Sequence, residues 1–446
     1  MPDIMPGVTH DTYAVIGAGP SGLAAARNLQ RFGIPWEGYE LAPGVGGLWD
    51  IDGPRSTMYE SAHLISSKTT TEFTEFPMKD EVADYPSHRD LLGYFQDFAA
   101  TYDLTGGFSF GTEVIAARPS GDGGWVVTSS GPDGTVERRH AGVIAANGTL
   151  SEPSVPTFAG SFDGEVLHTS AYRSPTVFAG KRVLIIGAGN SGCDIAVDAV
   201  HHAASVDISV RRGYYFVPKY LFGKPADTLN QGKPLPPRIK QAIDTRVLKL
   251  FTGDPVRFGF PKPDYKIYES HPIVNSLVLH HLGHGDLRVR PDVARFAGPE
   301  VEFKDGSSTP YDVIVLATGY HLHYPFLDQD VLRWAGRGSA PDLYLNVFTQ
   351  EDPNLFVLGM IEASGIGWQG RYEQAELVAS YLKARTTNPA AAAALEQRVA
   401  GPRPDLSGGY HYLGLERMSY YVNKDAYRSA VRSEIDNLGQ NPGAAG

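Results

Sequence analysis

Two six-residue stretches of this chain are nearly identical: "GAGPSG" (Gly17 to Gly22) and "GAGNSG" (Gly187 to Gly192). Both have the form GxGxxG. Each follows a short apolar run ("TYAVIG", "RVLIIG") and precedes a run of helix formers ("LAAARNLQRF", "SGCDIAVDAV"). A strand, a glycine turn and a helix in that order can hold a dinucleotide phosphate. The first glycine permits the tight turn, the second lets a pyrophosphate approach the backbone, and the third lets helix pack on strand. The helix N-terminus then offers unpaired N–H groups and a partial positive charge. Gly17, Gly19, Ser21 and Gly22 are therefore candidate contacts to one dinucleotide. Gly187, Gly189, Ser191 and Gly192 are candidates for another.

The two copies diverge about twenty residues further on, where the second strand ends. The first leads to "EGYELAP", with Glu40 near its middle. An acid there accepts hydrogen bonds from both ribose hydroxyls, so the first unit is expected to hold an adenosine with a free ribose, as in FAD or NAD. The second leads to "DISVRRG". A carboxylate would repel a 2′-phosphate, whereas Arg211 and Arg212 can bind one through paired, charge-assisted bonds. The second unit is expected to prefer NADPH to NADH.

The elements that must position these residues are legible around them. "IPWEGYE" and "VDISV" read as the second strands, so each motif opens a β-α-β unit. The expected fold class is α/β, with two Rossmann-like dinucleotide-binding domains. "GWVVTSS" and "TVERRHAGVIAANG" read as strands of a small antiparallel meander between them. Residues 213–275, rich in Tyr, Phe, Lys and Pro, read as an irregular excursion from the second unit. "YDVIVLATGY" and "NLFVLG" read as late buried strands, "RYEQAELVASYLKAR" as a helix and "GQNPGAAG" as a disordered tail.

The composition is that of an ordinary globular protein: 446 residues, 42% hydrophobic and 20% charged, enough for two or three domains. A net charge of −11 argues against nucleic acid as a partner. There is no apolar run of about 18 residues. "MPDIMPGVTH" lacks the basic and apolar regions of a signal peptide, so a cytoplasmic location is the default expectation. No metal site is expected. The single cysteine, Cys193, excludes an intrachain disulfide and a dithiol redox pair, and reads as a small packing residue. One chain with an FAD site and an NADPH site is a flavin oxidoreductase. Without a dithiol, its electrons go to a protein carrier or to oxygen.

Between the glycine motifs lies "FDGEVLHTSAY", Phe162 to Tyr172, of the form FxGxxxHxxxY. It resembles the fingerprint of the flavin-containing monooxygenases, a family of class B flavoprotein monooxygenases. Their Baeyer–Villiger relatives carry tryptophan where this chain has Tyr172. "GGLW" (Gly46 to Trp49), "SSKTTTEFTEFP", "LATGY" (Leu316 to Tyr320) and "WQGRY" (Trp368 to Tyr372) resemble further motifs of the family in order. The likeness covers roughly residues 11 to 385.

The resemblance implies a discontinuous FAD domain, residues 1–172 and 313–446, with an NADPH domain, 173–312, inserted in it. It implies that NADPH reduces the flavin and that the reduced flavin captures oxygen as a C4a-hydroperoxide. The outer oxygen then goes to a soft nucleophile of a small molecule, an amine nitrogen or a sulfide sulfur. Baeyer–Villiger oxygenation of a ketone stays open. So does a flavin reductase or oxidase passing electrons to a partner or to oxygen. The resemblance also leaves a homodimer open. It places Gly46, Gly47, Leu48 and Trp49 along the flavin, Asn190 near nicotinamide and flavin, and Gln369 at the flavin ring. Thr318 and Gly319 of the late motif join the cofactor contacts. Phe162, Gly164, His168 and Tyr172 form a hinge that couples the cofactors, and His168 reads as a hydrogen-bonded structural histidine. "YYFVPKYLFGKP" reads either as the lining of an access path or as ordinary packing. One position departs from the family: its asparagine falls on Ile65, which cannot hydrogen-bond. Either a neighbour such as His63, Ser66 or Ser67 stands in, or the oxygen intermediate is held less firmly and leaks hydrogen peroxide.

Overall fold

The computed structural model describes residues 11–230 and 235–439. Its centre is a pair of five-stranded parallel sheets, each built around one glycine motif. The first sheet runs Leu355–Val357, Gly142–Ala145, Tyr13–Ile16, Trp36–Tyr39, Phe108–Ser109. Every residue of Tyr13–Ile16 and Gly142–Ala145 is buried, which is why these strands read as unbroken apolar runs. The helix Pro20–Arg31 leaves the first glycine turn and packs on the long helix Gly367–Thr387, which in turn packs on Lys424–Leu438. Glu373, almost wholly buried at that last contact, is held by Arg428 at 2.5 Å and Arg432 at 2.8 Å. The chain after residue 355 thus returns to the first unit and closes it.

The second sheet runs Glu165–His168, Val313–Leu316, Arg182–Ile186, Ser205–Ser209, Leu287–Arg290. The helix Asn190–Val200 follows its glycine turn. Two of its strands lie outside 173–312. Glu165–His168, the middle of the FxGxxxHxxxY stretch, pairs with Val313–Leu316 in register His168 to Leu316. Fingerprint and late strand are therefore neighbours inside the second sheet.

Two sequence expectations need adjustment. "TVERRHAGVIAANG" is two strands. Gly134–His140 closes the antiparallel meander with Trp125–Gly131 and Glu113–Pro119, while Gly142–Ala145 joins the first parallel sheet. The change falls where charged residues give way to four buried ones. Residues 213–275 are less irregular than expected, because they hold the sixteen-residue helix Pro237–Thr252, with Pro237 in its first turn where a missing N–H costs nothing. They also reach back to the first unit: Asp227 accepts the Ser67 N–H at 2.6 Å, and Tyr220 donates to Asp84 at 3.0 Å. The tail "GQNPGAAG" lies, after Gly439, outside the described residues. Among the described residues no helix is long and apolar enough to cross a membrane.

Candidate active site

The two glycine turns have the same construction. Gly17 has φ +105°, and a Cβ there would stand 2.6 Å from the Ala146 carbonyl oxygen; Gly187 has φ +109° and would meet the Ala317 oxygen at 2.4 Å. The third glycines are tighter. A Cβ on Gly22 would lie 1.7 Å from the Gly17 oxygen, and one on Gly192 would lie 2.1 Å from the Gly187 oxygen. Packing therefore demands glycine at the first and third positions. It does not at the second: a Cβ on Gly19 would meet nothing closer than 3.5 Å, and one on Gly189 nothing within 4 Å. Nothing within the fold requires bare backbone at these two positions. Gly19 and Gly189 are also the N-caps of their helices, with no side chain accepting from the first turn. Those N–H groups are left for a ligand.

A cavity of about 320 Å³ opens over the first turn. Gly17, Gly19, Ser21, Glu40, Gly47, Leu48 and Trp49 line it. Gly22 and Gly46 stand behind it: Gly46, at φ +124°, donates its N–H to the Ala18 oxygen at 3.0 Å and abuts Leu92. Glu40 is 9% exposed. Its Oε2 accepts the Ala18 N–H at 2.5 Å and its Oε1 the Ala42 N–H at 2.7 Å. Burial raises its carboxyl pKa, and the Ala42 and Ala18 amides pull it back. A carboxylate offers about four lone-pair sites, so capacity remains for hydroxyl donors from the cavity.

Three further lining residues are Asn147, which the sequence did not single out, and Trp368 and Arg371 of the "WQGRY" stretch. Asn147 follows the buried strand Gly142–Ala145; its Nδ2 donates to the His323 oxygen at 2.8 Å, and its Oδ1 is buried with no hydrogen-bond partner. Trp368 meets Trp49 edge-to-face at 5.9 Å. Arg371 donates to the Gly367 and Ile361 oxygens at 2.9 and 3.1 Å. A signal for Asn147 existed, since ligands gather beyond the carboxyl ends of parallel strands.

Other expected residues take different places. Gln369 does not line this cavity; its Oε1 accepts the Thr74 N–H at 2.8 Å and ties the long helix to the "TEFTEFP" segment. Ile65 is half-buried and, with Ser66, also lies outside the lining; Ser66 Oγ bonds to Thr71 Oγ1 at 2.7 Å. His63 is exposed and bonds to the Ser61 oxygen, while Ser67 is buried with its N–H on Asp227. Thr318 and Gly319 follow the second sheet's Val313–Leu316 strand. Thr318 donates to the Ser154 oxygen at 2.5 Å. Asn190, at the start of the second helix, accepts the Val274 N–H at 2.7 Å and donates to the Pro272 oxygen at 3.4 Å. From "YYFVPKYLFGKP", Phe216 is buried in the second core, whereas Phe222 is 78% exposed.

The fingerprint is a fastening. His168 Nδ1 accepts the Ser170 N–H at 3.1 Å, so its Nε2 carries the proton and donates to the Gly319 oxygen at 3.1 Å. Burial lowers the pKa of this ring and favours the neutral form. Tyr172 is 1% exposed, stacks on Phe178 at 5.3 Å and donates to Asp198 of the second helix at 2.9 Å. Cys193 is buried in the second core, as its packing role requires.

Register gives the counterpart of Glu40. Gly17 donates its N–H to the Tyr39 oxygen at 2.8 Å, and Gly187 donates to the Ser209 oxygen at 3.0 Å. Glu40 follows Tyr39; Val210, 2% exposed, follows Ser209. The second unit thus has an apolar side chain where the first has its acid. Arg211 and Arg212 come next, the first exposed and the second half-buried with its guanidinium 5.6 Å from the Tyr214 ring centre. Neither forms an ion pair among the described residues. The acid of this strand, Asp207, is 1% exposed and already engaged by Arg288 at 2.9 Å, Arg290 at 2.7 Å and the Tyr311 hydroxyl at 2.6 Å.

Comparison with known proteins agrees with this architecture. The family model "Flavin-binding monooxygenase-like" matches residues 10–402. The chain is 30% identical to flavin-containing monooxygenase 5 of Mus musculus over 79% of this chain and 69% of that one. It is 32% identical to indole-3-pyruvate monooxygenase YUCCA6 of Arabidopsis thaliana over 70% of this chain and 76% of that one. Among solved structures, the open form of cyclohexanone monooxygenase superposes with a TM-score of 0.72 at 20% identity, covering 95% of this chain and 98% of that one. S-allyl-L-cysteine S-oxygenase from Allium sativum gives 0.65 at 21%, over 95% and 88%. These last two likenesses speak for the fold. With the family model spanning most of its length, the chain belongs to the flavin-binding monooxygenase-like family and is a monooxygenase of the flavin-containing type.

Proposed function

We propose that this monooxygenase uses FAD and NADPH to place one oxygen atom on a soft nucleophile, an amine nitrogen or a sulfide sulfur, of a small molecule. The observation that carries the cofactor assignment is the pair of glycine turns, alike in backbone and unlike at the strand end. The first cavity suits FAD: an open Gly19, an uncapped helix start and a buried carboxylate with spare acceptor capacity border one space, and Asn147 joins its lining. Bound there, FAD would supply hydride acceptance and oxygen activation.

The chain's own residues do the rest. Backbone N–H groups of the first helix offset pyrophosphate charge, and Glu40 takes the ribose hydroxyls. Leu48, Trp49 and Trp368 wall the cavity with apolar surface and exclude water, which would otherwise divert the reaction to hydrogen peroxide. Arg211 and Arg212 take the 2′-phosphate of NADPH. His168 holds the late "LATGY" turn against the fingerprint, beside the paired strands of the second sheet. Supported by the sheet pairings, residues 159–316 form the inserted NADPH-binding unit, with the FAD-binding unit on either side.

Support for nitrogen or sulfur as the acceptor comes from Tyr172 in place of the Baeyer–Villiger tryptophan. Product analysis tests it. With NADPH and air, a thioether should give sulfoxide while a cyclic ketone is returned unchanged. Lactone as the main product would overturn the substrate class. Consumption of NADPH with neither oxygenated product would favour the reductase or oxidase reading.

A further inference from the structure

We propose that His281, His284 and Asp286 form a binding site for one borderline divalent cation of the Zn²⁺ class, placed away from both nucleotide turns. His281 and His284 are one helical turn apart at the end of the helix Leu277–His284, so they share a face. Gly285, at φ +82°, reverses the chain, and Asp286 comes back beside them. Asp286 Oδ2 is 3.0 Å from His281 Nδ1 and 3.7 Å from His284 Nδ1, and the three ligand atoms all lie within 4.8 Å of one another. Two ligands of a tetrahedral zinc ion with bonds of about 2.0–2.1 Å stand about 3.3 Å apart, between those two distances. Two imidazoles and one carboxylate are a ligand set for zinc with a fourth position left to water. The cluster also sits at a helix C-terminus, whose carbonyl dipoles favour a cation.

The site joins a short helix to the edge of the second sheet. Asp286 immediately precedes Leu287–Arg290, the edge strand paired to Ser205–Ser209. The His281 ring meets His201, the residue after the helix Asn190–Val200, edge-to-face at 5.2 Å. An ion on His281, His284 and Asp286 would clip the short helix to the sheet edge. It would lie at the amino ends of the parallel strands, whereas the glycine turn at Gly187 follows their carboxyl ends. The expected effect is therefore on stability and not on coenzyme binding.

The test uses the full-length, tag-free flavin-loaded protein and ZnCl₂ as the probe. Calorimetric titration should show one saturable site per chain, and zinc should raise Tm. His284→Ala should weaken zinc binding at least tenfold and abolish the Tm rise. His284 is 68% exposed, so this variant folds. His411→Ala, at an exposed histidine outside this helix and its following turn, should bind zinc as the parent does. Co²⁺ in place of Zn²⁺ should give the visible bands of a four-coordinate nitrogen and oxygen site. An absent saturable isotherm, or equal zinc affinity in the parent and His284→Ala, would overturn the proposal.

Discussion

In the first unit the residue after the second strand is Glu40, buried and bonded to the Ala18 amide of the glycine turn and the Ala42 amide of its own loop. At the matching place in the second turn stands Val210, followed by two arginines with no carboxylate partner among the described residues. The backbones before this point are near-copies, with the same clash points at the first and third glycines. On the proposed reading, phosphate binding is a property of the repeated turn, while the choice of nucleotide lies in side chains just beyond it. A carboxylate needs bare hydroxyls, and a guanidinium needs an extra phosphate.

The sharpest way to break the comparison acts on the shared backbone. In Gly22→Ala the new methyl would stand 1.7 Å from a backbone oxygen, so the turn must open. Overpacking of that kind costs about 3 kcal/mol or more, and in a chain of 446 residues Tm of the flavin-free protein should fall by about 3 °C or more. Gly19→Ala, with its nearest neighbour at 3.5 Å, should leave that Tm within about 2 °C and yet lose flavin. Equal Tm for the two variants would show that the third glycine is not a packing requirement.

A second variant separates the nucleotides. Arg211→Ala with Arg212→Ala removes two charge-assisted contacts, each worth about 1.5–3 kcal/mol, so kcat/KM for NADPH should drop about a hundredfold or more. The value for NADH should stay within about threefold, because NADH has no 2′-phosphate to lose. A parallel loss for both coenzymes would place the arginines elsewhere in the mechanism. In the first unit, Glu40→Gln keeps the shape and removes the charge. Reconstitution of the flavin-free variant should show FAD affinity about tenfold weaker, equivalent to about 1.4 kcal/mol, with NADPH selectivity intact.

The smallest effect concerns the seam between the units. His271, from the excursion of the second unit, bonds through Nδ1 to the Tyr421 hydroxyl at 3.1 Å. Burial lowers its imidazole pKa to about 4 from an ordinary 6.5, aided by Arg417 and opposed by Glu362. The unfolded chain therefore takes up a proton that the folded chain refuses. This contribution is complete above about pH 6.5 and is lost as pH falls toward 4. Thermal melts between pH 7 and pH 5 should show a shallower acid loss for His271→Phe than for the parent. Parallel curves would remove His271 from the seam.

Legibility followed the range of the physics. The glycine turns, their strands and Glu40 were readable because they are local: an apolar run, a turn that only glycine permits, and an acid at a fixed distance. The protein partners of Gln369 and Asn190, Thr74 and the 272–274 backbone, were not legible, because only the tertiary fold brings them near. The same holds for Trp368 and Arg371, which reach the first cavity from the far end of the chain. Domain edges were blurred for a related reason. The fingerprint strand Glu165–His168 joins a sheet whose next strand lies well over a hundred residues later, and nothing in its own composition announces that partner.

Anaerobic stopped-flow reduction of the bound flavin, by NADPH and separately by NADH, tests the division of labour between the two turns most directly. An account in which Glu40 finishes one pocket and Arg211 with Arg212 the other predicts bleaching by NADPH with a second-order rate constant about a hundredfold above that for NADH. Equal rate constants for the two coenzymes would contradict it.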